Sequence, residues 1–138
     1  MEKITFDNGV REFCVNGGGV LRFNPADPNV YHRLSQAEEK LRRIEEDLLE
    51  KGDQDAGALC EADRQLKELL NWIFGPGNDF NRIAGNVNLL ASAGNGRQVI
   101  DNLFAALEPI LVQGARESVQ AQVEGARQKA KARRAAQK

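Results

Sequence analysis

The sequence is poor in the residue types that most often carry chemistry. Its 138 residues include one histidine, His32, and two cysteines, Cys14 and Cys60. The cysteines are too few and too far apart for a disulfide framework or a zinc site, so we expect both to be buried or half-buried as small apolar side chains. His32 belongs to the first turn of a predicted helix, with no catalytic partner indicated by the sequence. These shortages predict a protein that is not an enzyme and that uses no metal and no cofactor.

Long apolar runs and aromatic residues are also scarce. No stretch approaches the roughly 20 apolar residues that cross a bilayer. Residues 1–9 contain Glu2 and Asp7 instead of the apolar run of a secretory signal. We therefore expect a cytoplasmic protein without membrane contact. Aromatic residues make up 6% of the chain, so the core must consist mainly of Leu, Ile, Val and Ala.

Two patterns that sometimes mark active sites have structural interpretations here. The glycines of residues 17–19 lead into a strand-like run, whereas a phosphate-binding loop leads into a helix and usually carries Lys and Ser or Thr. The adjacent carboxylates Glu38/Glu39 and Glu45/Glu46 do not face each other on a helix, and arginines surround them. We interpret the first pattern as a hairpin connection and the second as a solvated helix face.

The first 23 residues alternate as strands do. Residues 4–6 precede Asn8-Gly9, a dipeptide that tolerates the positive φ angles of a tight hairpin turn. Two further strand-like runs follow, residues 10–16 and 20–23. The pattern predicts a three-stranded antiparallel meander that packs on a helix, because a small sheet alone is only marginally stable.

Two amphipathic helices are predicted next. Asp27 and Pro28 form a helix start signal, and Gly52 is expected to end the first helix. Its apolar residues recur in steps of three and four: Val30, Leu34, Ala37, Leu41, Ile44 and Leu48. A second helix, from about residue 55 to residue 74, has a similar stripe: Leu59, Ala62, Leu66, Leu69 or Leu70, and Ile73. The short connection predicts an antiparallel helix hairpin.

The remainder of the chain has weaker patterns. Residues 80–87 suit a short helix that could extend to Ala91. A third helical region begins near Arg97, and Pro109 inside it predicts a kink or a restart. The predicted fold is α+β and mainly helical, with one domain over residues 1–112 (strands in 1–23, helices in 28–112) and a basic C-terminal extension, helical or frayed, over residues 113–138.

The third helical region has two apolar rows instead of one stripe. One row contains Leu103, Ala106 and Ile110, and the other contains Phe104, Leu107 and Leu111. Either one row faces the core and the other a partner or second subunit, or both rows are buried beneath the strands and the hairpin. The candidate partner-binding residues are Val99, Leu103, Phe104, Leu107, Ile110 and Leu111.

Charge is distributed unevenly along the chain. Residues 1–74 contain 15 acidic and 10 basic side chains, whereas residues 75–138 contain five acidic and nine basic ones. No acidic residue follows Glu124, and the basic tail consists of Arg127, Lys129, Lys131, Arg133, Arg134 and Lys138. This tail could contact nucleic-acid phosphates, but it has no aromatic residue to stack on bases. The other interpretation is a solvated end without a partner.

Several segments together indicate a family. They are the strand-like residues 12–16 and 20–23, the Pro-Ala-Asp-Pro-Asn step at 25–29, the Leu-Asn-Trp-Ile-Phe-Gly segment at 70–75, and residues 101–107 before the basic end. With these segments, the chain resembles the tail assembly chaperones of long-tailed (siphovirus-type) phages and prophages of Gram-positive hosts.

The resemblance implies a non-enzymatic role in the host cytoplasm during phage assembly. Chaperones of this family coat the long hydrophobic helices of the tape measure protein, recruit tail tube subunits and can self-associate. They commonly exist in a short form and a longer, frameshifted form. The alternatives are a minor structural component of the tail and a small nucleic-acid-binding protein that acts through its basic tail.

Overall fold

The computed structural model describes residues 1–51 and 55–136. The described residues form two strands and four helices. The elements are β1 (Arg11–Val15), β2 (Gly19–Phe23), α1 (Pro28–Lys51), α2 (Ala56–Phe74), α3 (Phe80–Ile83) and α4 (Val99–Ala136). The predicted class, α+β and mainly helical with an antiparallel N-terminal sheet, is confirmed.

The sheet has two strands among the described residues, so the predicted three-stranded meander is wrong. β1 and β2 pair antiparallel, with Phe13 opposite Leu21, and residues 1–10 form no regular element. The hairpin is closed by Asn16-Gly17, whose φ angles of 52° and 72° are those that a type I′ turn requires at both central positions.

The earlier Asn-Gly dipeptide, at residues 8–9, does not close a hairpin and pairs with no strand of the described residues. Gly9 has a φ of 75°, and its N–H donates to the Asp7 carboxylate at 2.8 Å. The carbonyl of Asn8 accepts a hydrogen bond from the Asn24 side chain at 3.0 Å. Because Asn24 directly follows β2, the chain at Asn8 still runs beside the end of that strand and does not return along β1.

The helix hairpin forms as predicted over the described residues. Asp27 and Asp55 cap α1 and α2, and each carboxylate accepts a hydrogen bond from the N–H two residues on, at 3.0 and 2.9 Å. α1 buries Val30, Ala37 and Ile44. Among the buried residues of α2 are Ala62, Leu66, Leu69, Leu70, Ile73 and Phe74. The predicted end of α1 at Gly52 lies outside the described residues.

Phenylalanine rings connect the sheet to the helices. The ring centroids of Phe13 and Phe23 are 5.5 Å apart, those of Phe23 and Phe74 are 4.8 Å apart, and those of Phe74 and Phe80 are 5.4 Å apart. These separations are typical of favourable aromatic pairs. Four of the eight aromatic residues of the chain therefore lie where β1, β2, α2 and α3 meet.

The predicted short helix at residue 80 ends sooner than expected. α3 covers Phe80–Ile83, and an extension to Val87 or Ala91 is wrong because Gly85 and Asn86 have positive φ angles of 70° and 62°. Residues beyond α3 are tied to α2 instead. The Asp63 carboxylate accepts a hydrogen bond from the N–H of Leu89 at 2.8 Å.

A buried polar network supports that connection. Lys67 is 7% exposed, and its Nζ lies 2.8 Å from Asp63 Oδ2 and 2.8 Å from Asn81 Oδ1. A buried lysine needs such partners, because an isolated buried charge is very unfavourable. The network therefore joins α2, α3 and the segment that leads to α4.

The third helical region is one continuous helix. α4 passes through Pro109 without interruption, so of the two outcomes expected there, the restart is excluded. α4 lies very close to the chain between β2 and α1. A Cβ atom on Gly114 would overlap the carbonyl oxygen of Pro25 and come within 2.7 Å of its Cβ. Only glycine permits this approach.

The glycines of α4 provide a matched pair of substitutions. Gly114→Ala should lower the free energy of unfolding by about 1–3 kcal/mol or undock α4, since overpacking costs that amount. Gly125→Ala should raise helix stability by up to about 1 kcal/mol, because nothing lies within 4 Å of its added Cβ. Chemical denaturation followed by circular dichroism measures both changes. A Gly114→Ala variant at least as stable as the Gly125→Ala variant would contradict the close contact.

Candidate interaction surface

The six candidate partner-binding residues lie in the part of α4 that packs on the body. Leu107 is buried. The others are partly buried against the core: Val99, Leu103, Phe104, Ile110 and Leu111. Each of the two apolar rows of this region therefore contacts the core in part, and neither row is fully exposed or fully buried. Their role in partner binding stays a prediction.

A tyrosine holds the middle of α4 in place. The hydroxyl of Tyr31, in α1, lies 2.8 Å from the carbonyl oxygen of Leu111 and 2.5 Å from that of Pro25. The hydroxyl is therefore within hydrogen-bond distance of both carbonyl oxygens and can donate to either. Burial, followed by the negative charge of Glu117, raises the pKa of Tyr31. The phenol thus stays protonated as a donor between α1, α4 and the Pro25 segment.

Packing of α4 continues for one more turn and then stops. Gly114 and Ser118 are buried, so contacts with the body extend beyond the predicted domain end at residue 112. From residue 119 to residue 136 every described residue is exposed except the half-buried Gly125. We call residues 119–136 the projecting segment. It extends about 27 Å at 1.5 Å per residue.

The projecting segment continues an apolar line that begins on the docked part of α4. Val112, Val119 and Val123 are 44%, 60% and 44% exposed. At 100° per residue they lie within about 40° of one another around the helix, and Ala126 and Ala130 extend the line. We call these five residues the α4 stripe. It is an exposed apolar face, which typically marks a helix that packs on another helix.

A second apolar surface lies between α1 and α4. A groove of about 490 Å³ runs between the C-terminal half of α1 and the first turns of α4, and we call it the α1–α4 groove. Its apolar lining includes Leu41, Leu48, Leu49, Ile100 and Phe104. The acidic residues Glu45 and Asp101 are also among its lining residues, so the groove is apolar with negative charge beside it.

The basic tail is located on the projecting segment. Five of its residues are described and exposed, namely Arg127, Lys129, Lys131, Arg133 and Arg134. Lys138 lies outside the described residues. At 100° per residue, the five positive side chains are distributed around the helix and not along one face. They flank the α4 stripe on both sides.

The residues considered for chemistry are on the surface. His32 is exposed. The expectation that both cysteines are buried or half-buried is wrong, because Cys14 and Cys60 are exposed. Cys14 lies on the outer face of the sheet, and Cys60 lies on the solvent side of α2. Over residues 1–51 and 55–136, no three His, Cys, Asp or Glu side chains are grouped as metal ligands would be.

Comparison with known proteins assigns no relative, since no family model, curated protein or solved structure matches this chain. Within the described part of the chain, no helix combines the length and apolar character needed to cross a bilayer.

Substitutions separate the docked residues from the exposed ones. Leu107→Ala should lower the free energy of unfolding by about 2–5 kcal/mol, as is usual for a buried leucine. Val119→Ser should change it by no more than about 0.5 kcal/mol, because the side chain is already in water. Urea titration of the two variants measures both values. A large loss for Val119→Ser would mean that the projecting segment packs on the body.

Proposed function

We propose that this chain is a non-enzymatic tail assembly chaperone of a phage or prophage, which binds the tape measure protein and supports assembly of the tail tube. The observation that supports it best is the part of the α4 stripe that lies on the projecting segment. Val119 and Val123 are exposed, and the projecting segment that carries them has no packing partner among the described residues. The tape measure protein is the partner that the family resemblance implies, and the α4 stripe is an exposed apolar surface that could pack on its helices.

Helix-to-helix packing is the proposed mode of binding. Tape measure proteins contain long hydrophobic helices, and an amphipathic helix binds through apolar side chains at i, i+3, i+4 and i+7 spacing. The α4 stripe has this spacing, and the α1–α4 groove offers a second, concave apolar surface at the first turns of α4. Covering the exposed apolar face of the partner would prevent its aggregation before the tail tube forms around it.

Each copy offers only a small apolar area, so tight binding requires many copies of the chain on one tape measure protein. The α4 stripe contains three valines and two alanines, and each buried valine contributes about 1.5–3 kcal/mol before the costs of association. A single copy should therefore bind weakly. Many copies along one long helix bind far more tightly when neighbouring copies also contact each other, because each new copy then binds at a high effective concentration.

Co-expression with the tape measure protein of the same genome tests the proposal. We expect the wild-type chain to keep that protein soluble and to co-purify with it. The double variant Val119→Ser/Val123→Ser should reduce the recovered complex at least tenfold, since it removes apolar area worth more than about 1.4 kcal/mol. The matched control is Ala121→Ser/Ala132→Ser, which changes exposed residues on the opposite side of the helix.

Two results would contradict the chaperone proposal. The first is a wild-type chain that does not bind the tape measure protein at any ratio. The second is equal recovery with the valine and alanine double variants, which would show that the α4 stripe is not the binding surface. Mass spectrometry of finished particles distinguishes a chaperone that departs from a minor structural component that stays in the tail.

Nucleic-acid binding is the second candidate, and the observation in its favour is the exposed basic tail. If the tail contacts phosphates, binding to DNA or RNA in a mobility-shift assay should fall steeply as salt is raised, because counterions are released. Deletion of residues 125–138 should then abolish it. Absence of binding at low salt would exclude this candidate.

A further inference from the structure

The N-terminal arm, residues 1–6, carries two exposed apolar side chains, Ile4 and Phe6, that have no packing partner among the described residues. Ile4 and Phe6 are 88% and 80% exposed. The arm forms no regular element, and none of its residues is hydrogen-bonded to the described part of the chain. Ile4 and Phe6 are two residues apart, so in an extended conformation they lie on the same side. This alternation is typical of a β-strand, although the arm is paired with no sheet in the described structure.

The outer edge of β1, on the side away from β2, is paired with no strand of the described residues. In an antiparallel pair, the N–H and C=O of one residue point to the same side, and successive residues alternate. Arg22 directs its N–H and C=O to the side chain of Asn78, at 2.8 and 2.9 Å, and so away from β1. Glu12 lies opposite Arg22, so its own N–H and C=O point away from β2. Those of Cys14, two residues on, do the same.

The two edges of the sheet differ in whether their outward main-chain groups are hydrogen-bonded. At the β2 edge, the side-chain amide of Asn78 bonds the N–H and C=O of Arg22, as a neighbouring strand would. At β1, no group of the described residues is hydrogen-bonded to the outward N–H and C=O groups of Glu12 and Cys14. Unpaired edge groups of this kind are a template for another strand. The arm of the same chain does not fill this edge, because residues 1–10 form no strand and the carbonyl of Asn8 is hydrogen-bonded to Asn24, at the end of β2.

We propose that the N-terminal arm of one copy adds as an antiparallel strand to the outer edge of β1 in a second copy. The arm gains main-chain hydrogen bonds with Glu12 and Cys14, as in other cases of strand addition. The arrangement of apolar side chains supports the arm of a second copy as the added strand. With Ile4 and Phe6 on the same face as the half-buried Phe13, the apolar side chains of the arm extend the face that packs on the core.

We expect the added strand to come from a second copy, because each chain carries both parts of the interface, the arm and the outer edge of β1. Each copy has one free arm and one free edge, and the added strand makes a three-stranded sheet from a two-stranded one, which is only marginally stable alone. Exchange of identical elements between copies is an easy route to association. If two copies exchange arms reciprocally, a closed dimer results, and if each arm passes to the next copy, an open array results. This interaction does not depend on the proposed chaperone role.

Cross-linking through Cys14 tests the proposed strand. Residues directly opposite each other share a face, so placing Ile4 with Phe13 puts Lys3 and Thr5 on the exposed face of Cys14. We would make Lys3→Cys and Thr5→Cys in a Cys60→Ser background and treat each with a short bis-maleimide linker. Ile4→Cys is the matched control, since it lies on the other face.

We expect cross-linked dimers from Lys3→Cys or Thr5→Cys at a yield at least fivefold above that of Ile4→Cys, with the arm joined to Cys14 in the peptide map. Equal yields from all three variants would overturn the proposal. A link formed within one chain would also overturn it, because the product would run as a monomer.

Self-association provides an independent measurement. Deleting residues 2–6 should weaken association at least tenfold in sedimentation experiments. The helical circular dichroism should stay unchanged, because the arm is exposed and packs on none of the described residues. The double variant Ile4→Ser/Phe6→Ser should act in the same direction. Unchanged association after the deletion would overturn the proposal, as would a wild-type chain that is monomeric at high concentration.

Discussion

The contact between Gly114 and Pro25 determines how much of α4 belongs to the body of the protein and how much is free. α4 can approach the segment between β2 and α1 only because residue 114 has no side chain. The Tyr31 hydroxyl lies within hydrogen-bond distance of the carbonyl oxygens of both Leu111 and Pro25 at the same place. One turn later, at Ser118, burial ends. The position of this contact therefore sets the start of the projecting segment and the exposure of most of the α4 stripe.

The elements that were predictable from the sequence are those with a strong local pattern. The stripes of α1 and α2 repeat every three or four residues over several turns, and Asp27-Pro28 marks the start of α1, so both helices follow from the sequence. The third strand was predicted wrongly because Asn-Gly occurs at residues 8–9 and again at 16–17. Local turn propensity cannot decide which of the two closes a hairpin. At residues 8–9 the chain instead makes a contact distant in sequence, since the side chain of Asn24 donates a hydrogen bond to the carbonyl of Asn8.

The candidate site was less predictable than the fold. The apolar rows between Val99 and Leu111 are visible in the sequence, but their partial burial depends on how α4 meets the body, which periodicity does not specify. Val119 and Val123 were missed because they are isolated among polar residues and alanines. Their meaning appears only once α4 is known to be one helix that leaves the body at Ser118. The buried Lys67 was missed for a similar reason, since its partner Asn81 belongs to a different element.

The edge of β1 and the α4 stripe are two different kinds of exposed surface, and they suit two different partners. The edge of β1 exposes main-chain donors and acceptors, which bind any extended strand and derive little specificity from side chains. The α4 stripe exposes side chains at helical spacing, which suits another helix. A strand from a second copy and a helix from another protein would therefore not compete for one surface. With both surfaces occupied, each copy would bind its neighbour through the sheet and the partner through α4, and contacts between neighbours would strengthen the binding of a helix that each copy alone holds weakly.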